Sequence, residues 1–99
     1  MNLKQILSII RIKNDEKLLD MARKLNVSVS YLSSIENNNR KIPTDLLKKL
    51  FRKYHLSKNT KDLLISIEKQ QKYDEVINFC KEKNITKKDL QRIYEMYQD

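Results

Sequence analysis

Residues 26–41 read NVSVSYLSSIENNNRK, and how this stretch folds decides how the whole chain is understood. Four serines and four asparagines surround one tyrosine, and two adjacent cations close the stretch. Small hydroxyl and amide side chains bury little apolar surface and are mediocre helix formers. A polar segment of this kind between two leucine-rich ones therefore needs a purpose other than core packing.

The flanking segments carry helical spacing. Leu3, Ile6, Leu7, Ile10 and Arg11 predict a first helix over about residues 2–13. Leu18, Met21, Ala22 and Leu25 predict a second over about 16–25, after a break at Asn14-Asp15-Glu16. Asn26-Val27-Ser28 is a turn, and Ser28 is placed to N-cap a third helix running to Ile35. "NNNRKIP" is a loop, after which Thr44 is expected to cap a fourth helix bearing Leu46, Leu47, Leu50, Phe51 and Tyr54, with His55 at its end. Thr60 is expected to cap a fifth with Leu63, Leu64 and Ile67. The composition agrees: no glycine, one proline and long Leu/Ile/Lys/Glu segments indicate an all-α chain.

"EKQQK" at 68–72 has no apolar residue and is a candidate linker, itself compatible with helix. Beyond it Tyr73, Val76, Ile77 and Cys80 form one apolar stripe and Leu90, Ile93, Tyr94 and Tyr97 a second. Asn84 suits a left-handed C-cap, and Thr86 with Asp89 three residues on forms a capping-box variant. The expected organisation is a domain over 1–67, a linker over 68–72 and a two-helix hairpin over 73–99. A hairpin of this size cannot bury both stripes alone, so it must pack on the first domain or on another chain.

Charge is divided between these parts. Residues 1–58 carry 13 Lys/Arg against 5 Asp/Glu, whereas residues 59–99 carry 8 of each. A basic unit joined to a neutral one points to a polyanion as partner of the first; the competing reading is a lysine-rich solvated surface. One cysteine excludes an internal disulfide and suits a reducing compartment. No apolar run nears the roughly 20 residues of a bilayer span, and no signal-peptide core is evident, so a soluble cytoplasmic protein is expected. Catalysis is disfavoured, because there is one His, no metal-ligand spacing and no glycine loop for phosphate. No cofactor, metal or small-molecule ligand is expected.

Two short helices joined by a three-residue turn on a basic unit meet the demands of a helix-turn-helix. The close helix crossing needs a small residue, Ala22, and the turn needs one tolerant of positive φ, Asn26. Met21, Leu25, Val27, Leu32 and Ile35 supply the apolar wedge. In this register Val29, Ser30, Tyr31, Ser33, Ser34 and Asn37 project from the third helix. Serine and asparagine suit the major groove, about 12 Å wide, because they hydrogen-bond base edges without bulk. Candidate base-reading residues are therefore Ser28, Val29, Ser30, Tyr31, Ser33 and Ser34. Asn37, Asn39, Arg40 and Lys41 are candidate phosphate contacts.

These residues resemble the Cro/C1-type (lambda-repressor-like) family of five-helix DNA-binding domains over about residues 2–67. The family's "LA…LGVS…S…I..IENG" pattern reads here "MARKLNVSVSYLSSIENN". The resemblance implies a pair between Arg11 and Glu36 that fixes the recognition helix. Asparagines, Asn26 and Asn38, stand where glycines are usual, and Glu16 stands where an apolar residue is usual. Lys17 and Leu18 replace the usual Ser and phosphate-binding Gln, leaving Lys17 as the phosphate anchor there.

Taken with Pro43 and the hairpin "YDEVINFCKEKNITKKDLQRIYEMY", "SYLSSIE" resembles Sin-type (SinR-like) repressors. That resemblance implies a repressor of biofilm-matrix genes whose hairpin homo-oligomerises, as dimer or tetramer, through Tyr73, Val76, Ile77, Cys80, Leu90, Ile93, Tyr94 and Tyr97. It also implies a possible antagonist protein sharing the hairpin, and double-stranded operator DNA as the main partner. Val29 stands where the resemblance expects Lys. The alternatives are an antitoxin or phage-type repressor with the same DNA-binding domain, and an interaction module that sequesters a related regulator.

Overall fold

The structure, a computed structural model, describes residues 1–84 and 86–96, and of Leu90 the backbone alone. Ile85, the Leu90 side chain and Tyr97, each part of the hairpin expectation, lie outside the described residues. Among the described residues the chain is all-α. Its helices are α1 (Leu3–Lys13), α2 (Leu18–Lys24), α3 (Val29–Glu36), α4 (Thr44–Lys53), α5 (Lys58–Glu82) and α6 (Lys87–Met96).

The backbone solves a problem set by the composition. A helix commonly ends on a residue in the left-handed region, usually glycine, and this chain has none. Asp15, Asn26, Asn38 and Asn84 take that place, with φ of 54°, 56°, 62° and 55°. After α1, Glu16 N donates to Arg11 O at 2.9 Å and Asp15 N to Ile12 O at 3.2 Å. The same pair of bonds recurs after α2 (Val27 N to Ala22 O, Asn26 N to Arg23 O) and after α3 (Asn39 N to Ser34 O, Asn38 N to Ile35 O). These are Schellman motifs, tolerated because Asn and Asp are the non-glycine residues that visit this region most readily.

Helix starts differ in places from the sequence-based expectation. Ser28 caps α3, its Oγ accepting from Tyr31 N at 3.1 Å. Thr44 does not cap α4: Pro43 holds that position in extended geometry and Thr44 is the first helical residue. This is a consequence of proline's fixed φ, which sets the chain's direction into the helix without a side-chain bond. Nor does Thr60 cap α5; Ser57 does, with Thr60 N donating to Ser57 Oγ at 3.2 Å. α2 begins at Leu18 rather than near residue 16, because Glu16 belongs to the turn that closes α1. α4 ends at Lys53, which puts Tyr54 at its C-cap and His55 beyond it.

The chain divides into two units, Met1–Lys69 and from Gln70 onward, and the division falls inside α5. The expected linker at 68–72 is helical. Glu, Lys and Gln are good helix formers, and nothing in "EKQQK" breaks the backbone pattern. Gln70 Nε2 also donates to Asp74 Oδ1 at 3.0 Å across one turn.

The first unit has one core: Leu3, Ile6, Leu7 and Ile10 of α1, Met21 and Ala22 of α2 with Leu25, Leu32 and Ile35 of α3, and Ile42, Leu46, Leu47, Leu50, Tyr54 and Leu64. Full burial of one such Leu or Ile contributes about 1.5–3 kcal/mol. Ala22 is buried in this core, and a larger side chain there would overpack it by roughly 1–3 kcal/mol. The second unit holds the end of α5 and α6. Thr86 N donates to Asp89 Oδ2 at 3.1 Å and Asp89 N to Thr86 Oγ1 at 3.2 Å, so the reciprocal box closes with Asp in the place of Glu. Those backbone and hydroxyl bonds from Thr86 hold the Asp89 carboxyl below its ordinary range.

Candidate nucleic-acid interface

The candidate interface centres on α3, whose apolar side is held in the core. Leu32 and Ile35 are buried in the core, and Val27 and Tyr31 pack partly against it. α3 is further held to α1 by an ion pair: Arg11 Nη1 donates to Glu36 Oε1. Both side chains are largely enclosed, 11% and 5% exposed. Arg11 also donates to Ser8 Oγ at 3.1 Å and lies 3.3 Å from Met21 Sδ, so one guanidinium joins three helices.

A second polar knot ties the α1–α2 turn to α4. Tyr54 Oη donates to Glu16 Oε2 at 2.6 Å, and Lys24 forms an ion pair with Glu16 Oε1. Lys24 Nζ lies 4.7 Å from the centre of the Tyr54 ring. The Glu16 side chain is only 8% exposed. Burial on its own would raise its pKa, but the bonds from Lys24 and Tyr54 together hold it below the ordinary value. Burial and the neighbouring Glu16 carboxylate push the Tyr54 hydroxyl well above its usual range. An acid at an ordinarily apolar position is thus satisfied by two partners. Neither partner is adjacent in sequence, and no linear pattern pointed to the knot. Lys49 Nζ donates to Leu25 O at 3.2 Å and finishes the end of α2 in the same region.

The outward side of α3 is polar and graded. Val29 is 37% exposed, and Ser30 and Ser28 are exposed. Tyr31 is half-buried, and Arg40 covers its ring at 5.5 Å. The ring face under Arg40 is therefore covered, whereas the Tyr31 hydroxyl has no bond among the described residues. The four serines are not equivalent, because a hydroxyl has one proton and two lone pairs. Ser28 accepts the cap bond from Tyr31 N, and its proton has no acceptor among the described residues. Ser34 donates to Tyr31 O at 2.6 Å and can only accept from outside. Ser33 accepts from Asn37 Nδ2 at 3.2 Å, and its proton has no acceptor among the described residues.

The loop after α3 brings Asn37, Asn39, Arg40 and Lys41 together, all exposed. The Asn39 and Arg40 N–H groups both turn back to Ser34 O, at 2.9 and 3.2 Å. Phosphate contact from these two residues must accordingly come from side chains. Lys17 sits exposed at the start of α2, its N–H bonded to Asp20 Oδ2 at 2.8 Å and its ammonium outside that bond. Lys4 was not foreseen: it lies 33 residues from Asn37 in sequence, yet its Nζ donates to Asn37 Oδ1 at 3.3 Å.

Among the described residues no group of three or more His, Cys, Asp or Glu could hold a metal, and no helix is long and apolar enough to cross a membrane. In the second unit, Tyr73 (58%), Val76, Ile93 and Tyr94 (65%) are exposed, Ile77 is half-buried and Cys80 is buried. Phe79 and Met96 add two exposed apolar side chains that the stripe pattern had not included.

A helix-turn-helix family model of the Cro/C1 type matches residues 7–59, and the chain belongs to that family. It is a family of DNA-binding regulators of transcription, generally without enzymatic activity. Neither the curated proteins nor the solved structures contain a significant match to the chain.

Proposed function

We propose that the chain is a sequence-specific repressor that reads an operator through α3 and assembles as a dimer or tetramer through the α5–α6 hairpin. The observation that carries the base-reading role is the state of α3: its apolar side and Glu36 are locked, while the hydroxyls of exposed Ser28 and Ser30 and half-buried Ser33, with exposed Val29, form a sterically small edge. Arg40, Lys41, Asn39 and Lys17 flank that edge as phosphate contacts, with Arg40 held over Tyr31.

One recognition helix reads only a few base pairs, and specific affinities of roughly 10⁻⁸–10⁻¹¹ M call for more contact area. A second copy supplies it at high effective concentration. Support for assembly comes from Tyr73, Val76, Phe79, Ile93 and Tyr94, large apolar groups in water on a segment whose charges balance. A Sin-type antagonist with a matching hairpin is the further protein partner that the resemblance adds, and the cytoplasm is the compartment where such a regulator acts. Selecting bound duplexes from a random pool, with molar mass measured on the same sample, tests the proposal. A single enriched motif with two half-sites and a dimer mass supports it, while no enrichment would leave only sequestration of another regulator.

A further inference from the structure

Resting on the reading of α3 as the base-reading helix, the geometry points to Ser33 as a specificity residue whose hydrogen-bond polarity is biased toward donation from outside the helix-turn-helix, by Lys4. The hydrogen bonds run in a chain from Lys4 Nζ to Asn37 Oδ1 at 3.3 Å, and from Asn37 Nδ2 to Ser33 Oγ at 3.2 Å. Each direction is forced by what the groups are able to do. An ammonium only donates, so the Asn37 atom that faces Lys4 must be the amide oxygen. The other end of that amide is then its NH₂, which also only donates. Ser33 Oγ must therefore accept, and one of its lone pairs is committed on the protein side.

The single proton of Ser33 finds no protein acceptor among the described residues, unlike that of Ser34, which goes to Tyr31 O. Ser33 thus meets the major groove with its proton and one remaining lone pair, and the bond it accepts from Asn37 strengthens it as a donor. Guanine O6 and N7 and thymine O4 accept there, whereas cytosine offers only its N4 amino donor. The consequence is a preference for guanine or thymine over cytosine at the base facing Ser33. Lys4 is a positioning residue: it touches no base and acts by orienting the Asn37 amide.

The polarity can be inverted without moving the backbone. The carboxylate of Asn37→Asp has no donor, still pairs with Lys4, and takes the Ser33 proton as a charge-assisted bond. Ser33 then turns lone pairs outward and favours the amino group of cytosine or adenine. Lys4→Met removes the donor that orients the amide, and Lys4→Arg keeps a donor-only partner.

The test uses the full-length protein and operators selected from a random pool, then duplexes that differ only at the base pair where Ser33→Ala loses discrimination. Wild type and Lys4→Arg are expected to favour guanine or thymine over cytosine by about 3- to 10-fold, the yield of one net hydrogen bond. Lys4→Met should bring the ratio close to one, and Asn37→Asp should reverse its sign although its affinity falls for every duplex. An unchanged ratio in both Lys4→Met and Asn37→Asp would overturn the inference. So would Ser33→Ala weakening all four bases equally, which would mark Ser33 as a phosphate contact and leave α3 as the reading helix. Absence of any selected operator for the wild type would overturn the base-reading proposal and this inference with it.

Discussion

Removing the Arg11 guanidinium should damage the fold before it damages recognition. Arg11 and Glu36 are 11% and 5% exposed, so Arg11→Met leaves a carboxylate enclosed with no cation opposite it. Breaking one side of a buried pair in this way costs about 3–5 kcal/mol. At roughly 0.05–0.15 kcal/mol per residue, the unit Met1–Lys69 has a total stability of only about 3–10 kcal/mol. The variant should therefore melt roughly 15–30 °C below the parent, or fail to fold. Pairing Arg11→Met with Glu36→Leu removes both charges together. Apolar replacement of a whole buried pair is often neutral, so the double variant should recover most of the loss and lie within about 2 kcal/mol of the parent. Urea denaturation followed by circular dichroism on the four proteins gives the coupling directly. If the double variant were destabilised by the sum of the two singles, or if Arg11→Met cost under about 1 kcal/mol, the pair would not be the brace between α1 and α3.

Arg40→Ala should weaken binding to every duplex alike and reduce the salt slope by about 1, which titrations at several salt concentrations would show; a change confined to the operator would assign Arg40 to base reading instead. The Glu16 carboxyl is held below its ordinary pKa in the folded chain, so its stabilising contribution is complete above the unfolded value of 4.5 and is lost as pH falls through the folded one. Glu16→Gln should accordingly flatten the acid limb of the stability–pH curve. Tyr54 is shifted upward, so its contribution is complete below pH 10 and declines above it; Tyr54→Phe should flatten the alkaline limb, and an unaltered limb in either variant would contradict the knot. Asn26→Gly should raise the melting temperature or leave it unchanged, while Asn26→Val should lower stability by at least about 1–2 kcal/mol because φ is 56° there. Truncation after Gln70 should give a monomer by sedimentation with much weaker operator binding, and an undiminished dimer would remove the hairpin from that role.

The helix-turn-helix was legible because its demands are local. Ala22, Asn26, Ser28, Leu32 and Ile35 lie within 14 consecutive residues, and each is required by a contact or a backbone angle that sequence spacing can represent. The Asn84 turn and the Thr86–Asp89 box were legible for the same reason. The start of α5 was misplaced by competition between two capping hydroxyls three residues apart, Ser57 and Thr60, which share a contact at 2.9 Å. A helix through 68–72 was compatible with the sequence, because Glu, Lys and Gln are good helix formers, but without an apolar stripe no spacing called for it. What no pattern showed were the polar links between distant residues: Glu16 with Tyr54, 38 positions apart, and Lys4 with Asn37, 33 apart. Charged residues on helix surfaces are ordinarily solvated, and only the packed helices decide which of them meet.

The most direct measurement is the ratio of dissociation constants for the selected operator and a scrambled duplex at physiological salt, for the wild type and Ser30→Ala. A base-reading α3 predicts a wild-type ratio of about 10³ or more, falling in Ser30→Ala through weaker operator binding at constant affinity for scrambled DNA. A wild-type ratio near one, or equal losses on both duplexes in Ser30→Ala, would contradict it.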